Sequence, residues 1–237
     1  MWTKILGPYN KNSWLISERG FGLKKKIWAI AGGKGGTGKT VITSNLGVGL
    51  AILGYKVILI DGDLGGANLH LFFDITVPKR SLNDFLSGRV SSLEEVILPT
   101  QSNNLGLICG NSGLMGVANL PFKKKEKLIH HIVGLNADFI LVDLGAGITH
   151  NILDIFGICH EPIIVCNPEP QAKFDAYAFA KNALYRRLNQ AFIQNNLLKD
   201  LLFKFGNNQQ HSIKVWDLIH LVRDKVPEYG ERAQTIV

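Results

Sequence analysis

Cysteine, methionine and charge are all scarce in this 237-residue chain, which has three cysteines, two methionines and 19% Asp, Glu, Lys and Arg together. Cys109, Cys159 and Cys166 lie in or beside apolar segments, odd in number and without CxxC spacing. That pattern argues against a disulfide framework or a zinc site and reads as buried thiols in a reducing compartment. With 46% hydrophobic residues and a mean hydropathy of +0.11, the chain has too much apolar and too little charged material to stay disordered, and can bury a sizeable core. No apolar run approaches the roughly 20 residues of a membrane-spanning helix. The first 26 residues (MWTKILGPYNKNSWLISERGFGLKKK) hold no apolar core of a secretion signal, so a cytoplasmic location is expected.

What the chain does have is the octapeptide Gly33 to Thr40, GKGGTGKT. It satisfies the phosphate-loop pattern of Gly, four free positions, then Gly-Lys-Ser/Thr. Gly35, Gly36 and Gly38 allow the backbone to turn its N–H groups inward, making an anion-binding concavity that opens onto a helix N-terminus. Lys39 is placed to reach the β- and γ-phosphates of a nucleotide, and the Thr40 hydroxyl to hold Mg²⁺. The loop through Thr40 and Val41 is therefore the expected nucleotide-binding segment. Lys34, right after the first glycine, is a second cation that the general pattern does not require. A cation supplied across a subunit boundary can stabilise a transferring phosphoryl group, as an arginine finger does. Such a site hydrolyses slowly until a second subunit completes it.

The flanks fit. Ile27–Ala31 is a short apolar run expected as a buried parallel strand, and Val41 to Leu53 reads as a mostly apolar helix stopped by Gly54. Lys56–Ile60 gives a second strand ending in Asp61-Gly62-Asp63, which makes a βαβ unit. Phe139–Val142 followed by Asp143 is the Walker B arrangement, in which the carboxylate supports the Mg²⁺ shell. Ile163–Asn167 is a fourth strand running into Pro168-Glu169-Pro170, with a helix from about Gln171, and Leu105–Cys109 a fifth. Carboxylates at the C-terminal ends of parallel strands lie on the sheet edge where ligands bind. The expected fold is a doubly wound α/β domain with a mostly parallel sheet between two helical layers, a P-loop NTPase arrangement.

On these residues the chain resembles the MinD/ParA group of P-loop ATPases with the deviant Walker A motif, and within it the FlhG-like regulators of flagellar number and placement. The resemblance runs over about residues 27 to 190, through AGGKGGTGKTVITSNLGVGLAILGYKVILIDGDLGGANLHLFF, DFILVDLGAGI and IIVCNPEPQAKFDAYA. It implies a dimer that sandwiches two ATP molecules, with Lys34 reaching the partner's phosphates, Lys39 as the P-loop lysine and Thr40 as Mg²⁺ ligand. It further implies that Asp63 positions the attacking water, that Asp61 lies beside it near the metal, and that Asp143 is the Walker B carboxylate. Asn167, Pro168, Glu169, Pro170 and Asp175 would border the base and the dimer interface. The resemblance thus implies an ATP- and Mg²⁺-dependent hydrolase that switches between monomer and homodimer and regulates placement, with a regulatory protein partner and peripheral membrane contact as further expectations. Competing readings are a ParA-like partition protein that binds DNA, and an ATP-dependent biosynthetic enzyme such as a cobyrinic acid amidase or dethiobiotin synthetase. Lys34 argues against the second. No Asn/Thr-Lys-x-Asp motif reads guanine, which favours ATP.

The net charge of +7 and pI near 9.3 are compatible with DNA or anionic lipid but do not show either. The basic runs Lys24–Lys26, Lys79-Arg80, Lys123–Lys127 and Arg186-Arg187 are read as solvated helix ends or loops. Residues 1–26 are expected as a poorly ordered extension, 27–190 as the ATPase domain and 191–237 as a helical segment at an incomplete end of that domain. Within that end, 192–205 and 213–226 carry helical patterns, without the strands that usually follow in the family. A truncated member would show an open sheet edge, weak ATP binding and poor base selection.

Overall fold

The computed structural model describes residues 25–110, 120–192, 195–198, 200, 220 and 222–226. Expectations for residues 1–24, and for most of the helical patterns at 192–205 and 213–226, lie outside the described residues. The chain divides into two compact units, Phe21–Ala180 and a second one comprising Met1–Gly20 with Lys181–Val237.

The first unit contains the sheet. In chain order it runs β1 (Lys26–Gly32), α1 (Lys39–Ile52), β2 (Val57–Gly62), a 3₁₀ turn Leu69–Phe73, α2 (Leu82–Leu86), β3 (Ile97–Pro99), β4 (Leu105–Ile108), α3 (Phe122–Gly134), β5 (Phe139–Ala146), α4 (His150–Gly157), β6 (Glu161–Ile164) and the start of α5 (Pro170–Ala191). The sheet order is β3-β4-β2-β5-β1-β6, parallel except for β3. The expected mostly parallel α/β architecture is what forms. Central strands β1, β2 and β5 are continuous apolar runs because helices cover both their faces, and Ala29, Ile30, Leu59 and Leu141 are fully buried. Leu59 approaches α1 so closely that a Cβ at Gly47 would lie 2.5 Å from its Cδ2, which explains a glycine on the inner face of that helix. Gly54, at φ 91°, ends α1 as expected.

Four local differences have physical causes. β3 was not anticipated; it is a three-residue antiparallel edge that stops at Pro99, too short to show a period. β6 ends at Ile164 rather than Asn167, although Val165 still donates to Ala31 O. Pro162 removes one ladder donor there, and Pro168 turns the chain away from the strand. Cys166 is exposed, unlike buried Cys109 and Cys159, because it lies past that strand end. Within the run Lys123–Lys127, Lys125 is not solvated. It sits on the inner face of α3, nearly fully buried, and forms an ion pair with the equally buried Asp154 of α4. Breaking one partner of such a pair leaves a bare charge in a low dielectric, so Lys125 links the two helices.

In the second unit the last turns of α5 contribute Leu188 and Ala191 to a small apolar cluster with Phe192, Leu198, Val222 and Val226. Among the described residues no helix is long and apolar enough to cross a membrane.

Candidate nucleotide site

β1 delivers the chain to the C-terminal edge of the sheet, with a register irregularity between Ile30 and Gly32 just before the loop. Gly36 and Gly38 then take φ of 73° and 91°, the left-handed region that strains other residues. Gly38 is the N-cap of α1 and offers no side-chain acceptor, so the first N–H groups of that helix have no side-chain cap. Uncapped N–H groups at the positive end of a helix dipole form an anion site. The Thr37 hydroxyl is buried without a hydrogen-bond partner, a polar atom that a phosphate oxygen can satisfy.

The two loop lysines face different ways. Lys39 is nearly buried, with its ammonium 3.4 Å from the Lys34 carbonyl across the loop. Lys34 is half exposed, and its Nζ lies 3.4 Å from Glu169 Oε2. Gly33 brings that neighbourhood together: a Cβ there would run into the Asp175 backbone carbonyl, so loop and α5 can touch only through a glycine. Thus Glu169 and Asp175 come to the loop across more than a hundred residues of sequence.

Parallel pairing of β2 with β5 sets Asp61 beside Asp143 in register. Asp143 Oδ1 accepts from the Thr43 hydroxyl at 3.3 Å. Burial raises the Asp143 carboxyl above its ordinary range, while hydrogen bonding from Thr40 and the Lys39 charge pull it back. The Thr40 hydroxyl also donates to Asn68 Oδ1 at 3.3 Å. Asp61 anchors the loop after β2: its Oδ1 accepts from Asp63 N at 3.1 Å and its Oδ2 from Leu69 N at 3.0 Å. Asp63 is half-buried, and its Oδ1 accepts from Gly65 N and Gly66 N at 3.2 and 2.9 Å.

Among the described residues no three His, Cys, Asp or Glu side chains cluster as a self-sufficient metal cage. The donor set present is the Thr40 hydroxyl beside the Asp143 carboxylate, next to the uncapped N–H groups. It suits Mg²⁺, which binds through one or two protein oxygens with substrate phosphates and water completing the shell. Asp61 already has each oxygen engaged by a backbone N–H, which fits it to hold the loop at the edge of that shell. Sequence reasoning missed Asn68 and Thr43. The only signal for Thr43 was its place one turn past Lys39, on the inner face of α1.

Burial pushes the Asp61 carboxyl from 3.8 up to about 7, helped by the Asp143 charge and opposed by the Leu69 and Asp63 N–H groups. Between about pH 4 and pH 7 the folded chain therefore holds a proton that the unfolded chain has lost, and stability falls as pH rises through that window. The nucleotide-free protein should lose on the order of a few kcal/mol this way. His131, held below its usual value by burial, contributes with the opposite sign. It is common to parent and variant, so comparison with Asp61→Asn cancels it and reads Asp61 together with its coupling to Asp143, whose carboxyl burial also raises. Melting curves from pH 5 to 8 should show a shallower decline for Asp61→Asn; parallel declines would show that Asp61 does not titrate in that range.

The chain is 35% identical over 158 residues to the antiactivator FleN of Pseudomonas aeruginosa, covering 66% of this chain and 55% of that protein. It is 35% identical over 170 residues to the flagellum site-determining protein YlxH of Helicobacter pylori, with 66% and 53% covered. The solved structure of the septum site-determining protein MinD from Pyrococcus horikoshii, complexed with Mg-ADP, superimposes with a TM-score of 0.59 at 35% identity, covering 67% of this chain and 64% of that one. The chain thus spans about half the length of the curated relatives it matches. Residues 28–226 match the CobQ/CobB/MinD/ParA nucleotide binding domain, and the chain belongs to that family.

Proposed function

We propose that this chain is an Mg²⁺-dependent ATPase of the MinD/ParA type that pairs with a second copy when ATP is bound, and that it regulates the placement of flagella or of the division site. The observation that carries the reading is Lys34. It lies inside the phosphate loop, yet its ammonium points out of it to Glu169, with both side chains about half exposed. An exposed pair of this kind is worth at most about 1 kcal/mol, so it holds the lysine without committing it. Released, Lys34 would serve a phosphate on a facing copy. Ile148, Phe174 and Tyr177 support such a contact: they are exposed apolar residues, the last two flanking Asp175 where α5 meets Gly33. A relative named as a flagellum site-determining protein and others named as septum site-determining proteins support the placement role.

In this reading the N–H groups of Gly35 to Thr40 cradle the polyphosphate and Lys39 neutralises it. Thr40 and Asp143 hold Mg²⁺, with Asp61 fixing the loop beside it. Mg²⁺ bound there would offset phosphate charge as it develops. Asp63 orients the attacking water, and Asn167, Pro168 and Glu169 border the base. We place the protein in the cytoplasm, with a regulatory protein partner and peripheral contact with the membrane.

Lys34→Ala should retain ATP binding as a monomer while losing ATP-dependent dimerisation and the hydrolysis that depends on it. Size-exclusion chromatography with ATP, together with phosphate release, reads both. A variant that still dimerises and hydrolyses at the parent rate would reduce Lys34 to a solvated loop charge. Liposome sedimentation and salt-titrated DNA binding of the parent separate the placement reading from partition, since DNA affinity falls steeply with salt.

A further inference from the structure

The Asp63 carboxylate is held between two loops. From its own side it accepts the Gly65 and Gly66 N–H groups, and on the other it lies against Gly145, two residues beyond Asp143 on β5. A Cβ built on Gly145 would stand 3.0 Å from Asp63 Cγ and 3.1 and 3.3 Å from its two oxygens, and these are its three nearest neighbours. A side chain at 145 would therefore crowd the carboxylate where it lies. The backbone at Gly145 is outside the left-handed region, unlike that of Gly147 at φ 95°, so alanine at 145 adds a methyl group without backbone strain. Conformational freedom is therefore not the reason for this glycine; space is.

We propose that Gly145 is a positioning residue for Asp63, setting the place of its carboxylate relative to the phosphate loop and so the efficiency of hydrolysis. The proposal rests on the reading of Asp63 as the group that orients the attacking water. The contact crosses from the loop after β2 to the end of β5, so the two segments that carry Asp63 and Asp143 meet through it.

In Gly145→Ala the methyl group requires the Asp63 carboxylate to give by a few tenths of an ångström. Displacement of an orienting group by about 1 Å costs on the order of 10²-fold in rate, so a shift of a few tenths should lower kcat by about 3- to 10-fold. KM for ATP should stay within about twofold, because the N–H cradle and Lys39 do not touch residue 145. The decisive measurement is a double-mutant cycle on the full chain with Asp63→Ala, reading both kcat and melting temperature. If Gly145 acts through Asp63, the double variant turns over no more slowly than Asp63→Ala alone. Its melting temperature should also match that of Asp63→Ala, since the methyl group then has the vacated space. The melting arm reads the contact even if Gly145→Ala folds poorly. Losses that multiply in kcat, or a methyl cost that persists without the carboxylate, would overturn the proposal while leaving Asp63 in its role. Normal turnover in Asp63→Ala would instead remove the reading beneath it, and the proposal with it.

Discussion

Lys39→Ala should lose measurable affinity for ATP and ADP, by more than about 100-fold in calorimetry. Lys39 is 9% exposed and lies at the start of α1, where the chain presents uncapped N–H groups but, among the described residues, no second buried cation. A polyphosphate brought there loses hydration, and only Lys39 supplies a full counter-charge within the loop, because Lys34 is turned to Glu169. The same substitution should hardly affect folding. Its one hydrogen bond in the nucleotide-free protein spans 3.4 Å to the Lys34 carbonyl, a long contact worth no more than about 1 kcal/mol. A large loss of binding with a small change in melting temperature is thus the expected signature. Unchanged ATP affinity would refute the phosphate-loop assignment, and a collapse of stability would make the lysine structural.

The parts of this site that could be read from the sequence are those written locally. Gly33 to Thr40 encodes its own geometry, because glycines at 36 and 38 meet positive φ and Lys39-Thr40 open the helix that follows. Strands β1, β2 and β5 announce themselves as apolar runs, and the carboxylates that close two of them come into register as Asp61 and Asp143. What stayed hidden depends on contacts between distant segments. The helical period of Leu128, Ile129 and Ile132 puts Lys125 on the inner face of α3, but the Asp154 that meets it there lies on another helix and is not written in the lysine run. Asn68 matters only because the chain after β2 folds back to the Thr40 hydroxyl. Gly145 looks like one more loop glycine until the Asp63 carboxylate is found against it. The ends of β3 and β6 are set by Pro99, Pro162 and Pro168, whose effect on a ladder depends on which neighbour the strand pairs with.

Asp63→Ala should bind ATP and Mg²⁺ like the parent yet hydrolyse about 10² to 10⁴ times more slowly, the usual cost of losing a positioned base or water-orienting group. Three carboxylates lie at this edge, and their environments separate their roles. Asp61 is 1% exposed with both oxygens bonded to backbone N–H groups, and Asp143 is 3% exposed and tied to Thr43. Asp63 alone of the three is half-buried, held by N–H groups of its own exposed loop that water can serve equally well. From its place against Gly145 it can present an oxygen to a water molecule near a γ-phosphate, and its removal leaves neither a buried charge nor a buried orphan donor. The variant should melt close to the parent and, with hydrolysis blocked, accumulate as the ATP-bound dimer in size-exclusion chromatography. Single-turnover measurement of phosphate release separates the chemical step from product release. Normal turnover in this variant would pass the role to Asp61, Asp143 or backbone groups, and the pH dependence of Asp61→Asn would then tell the first of these from the rest.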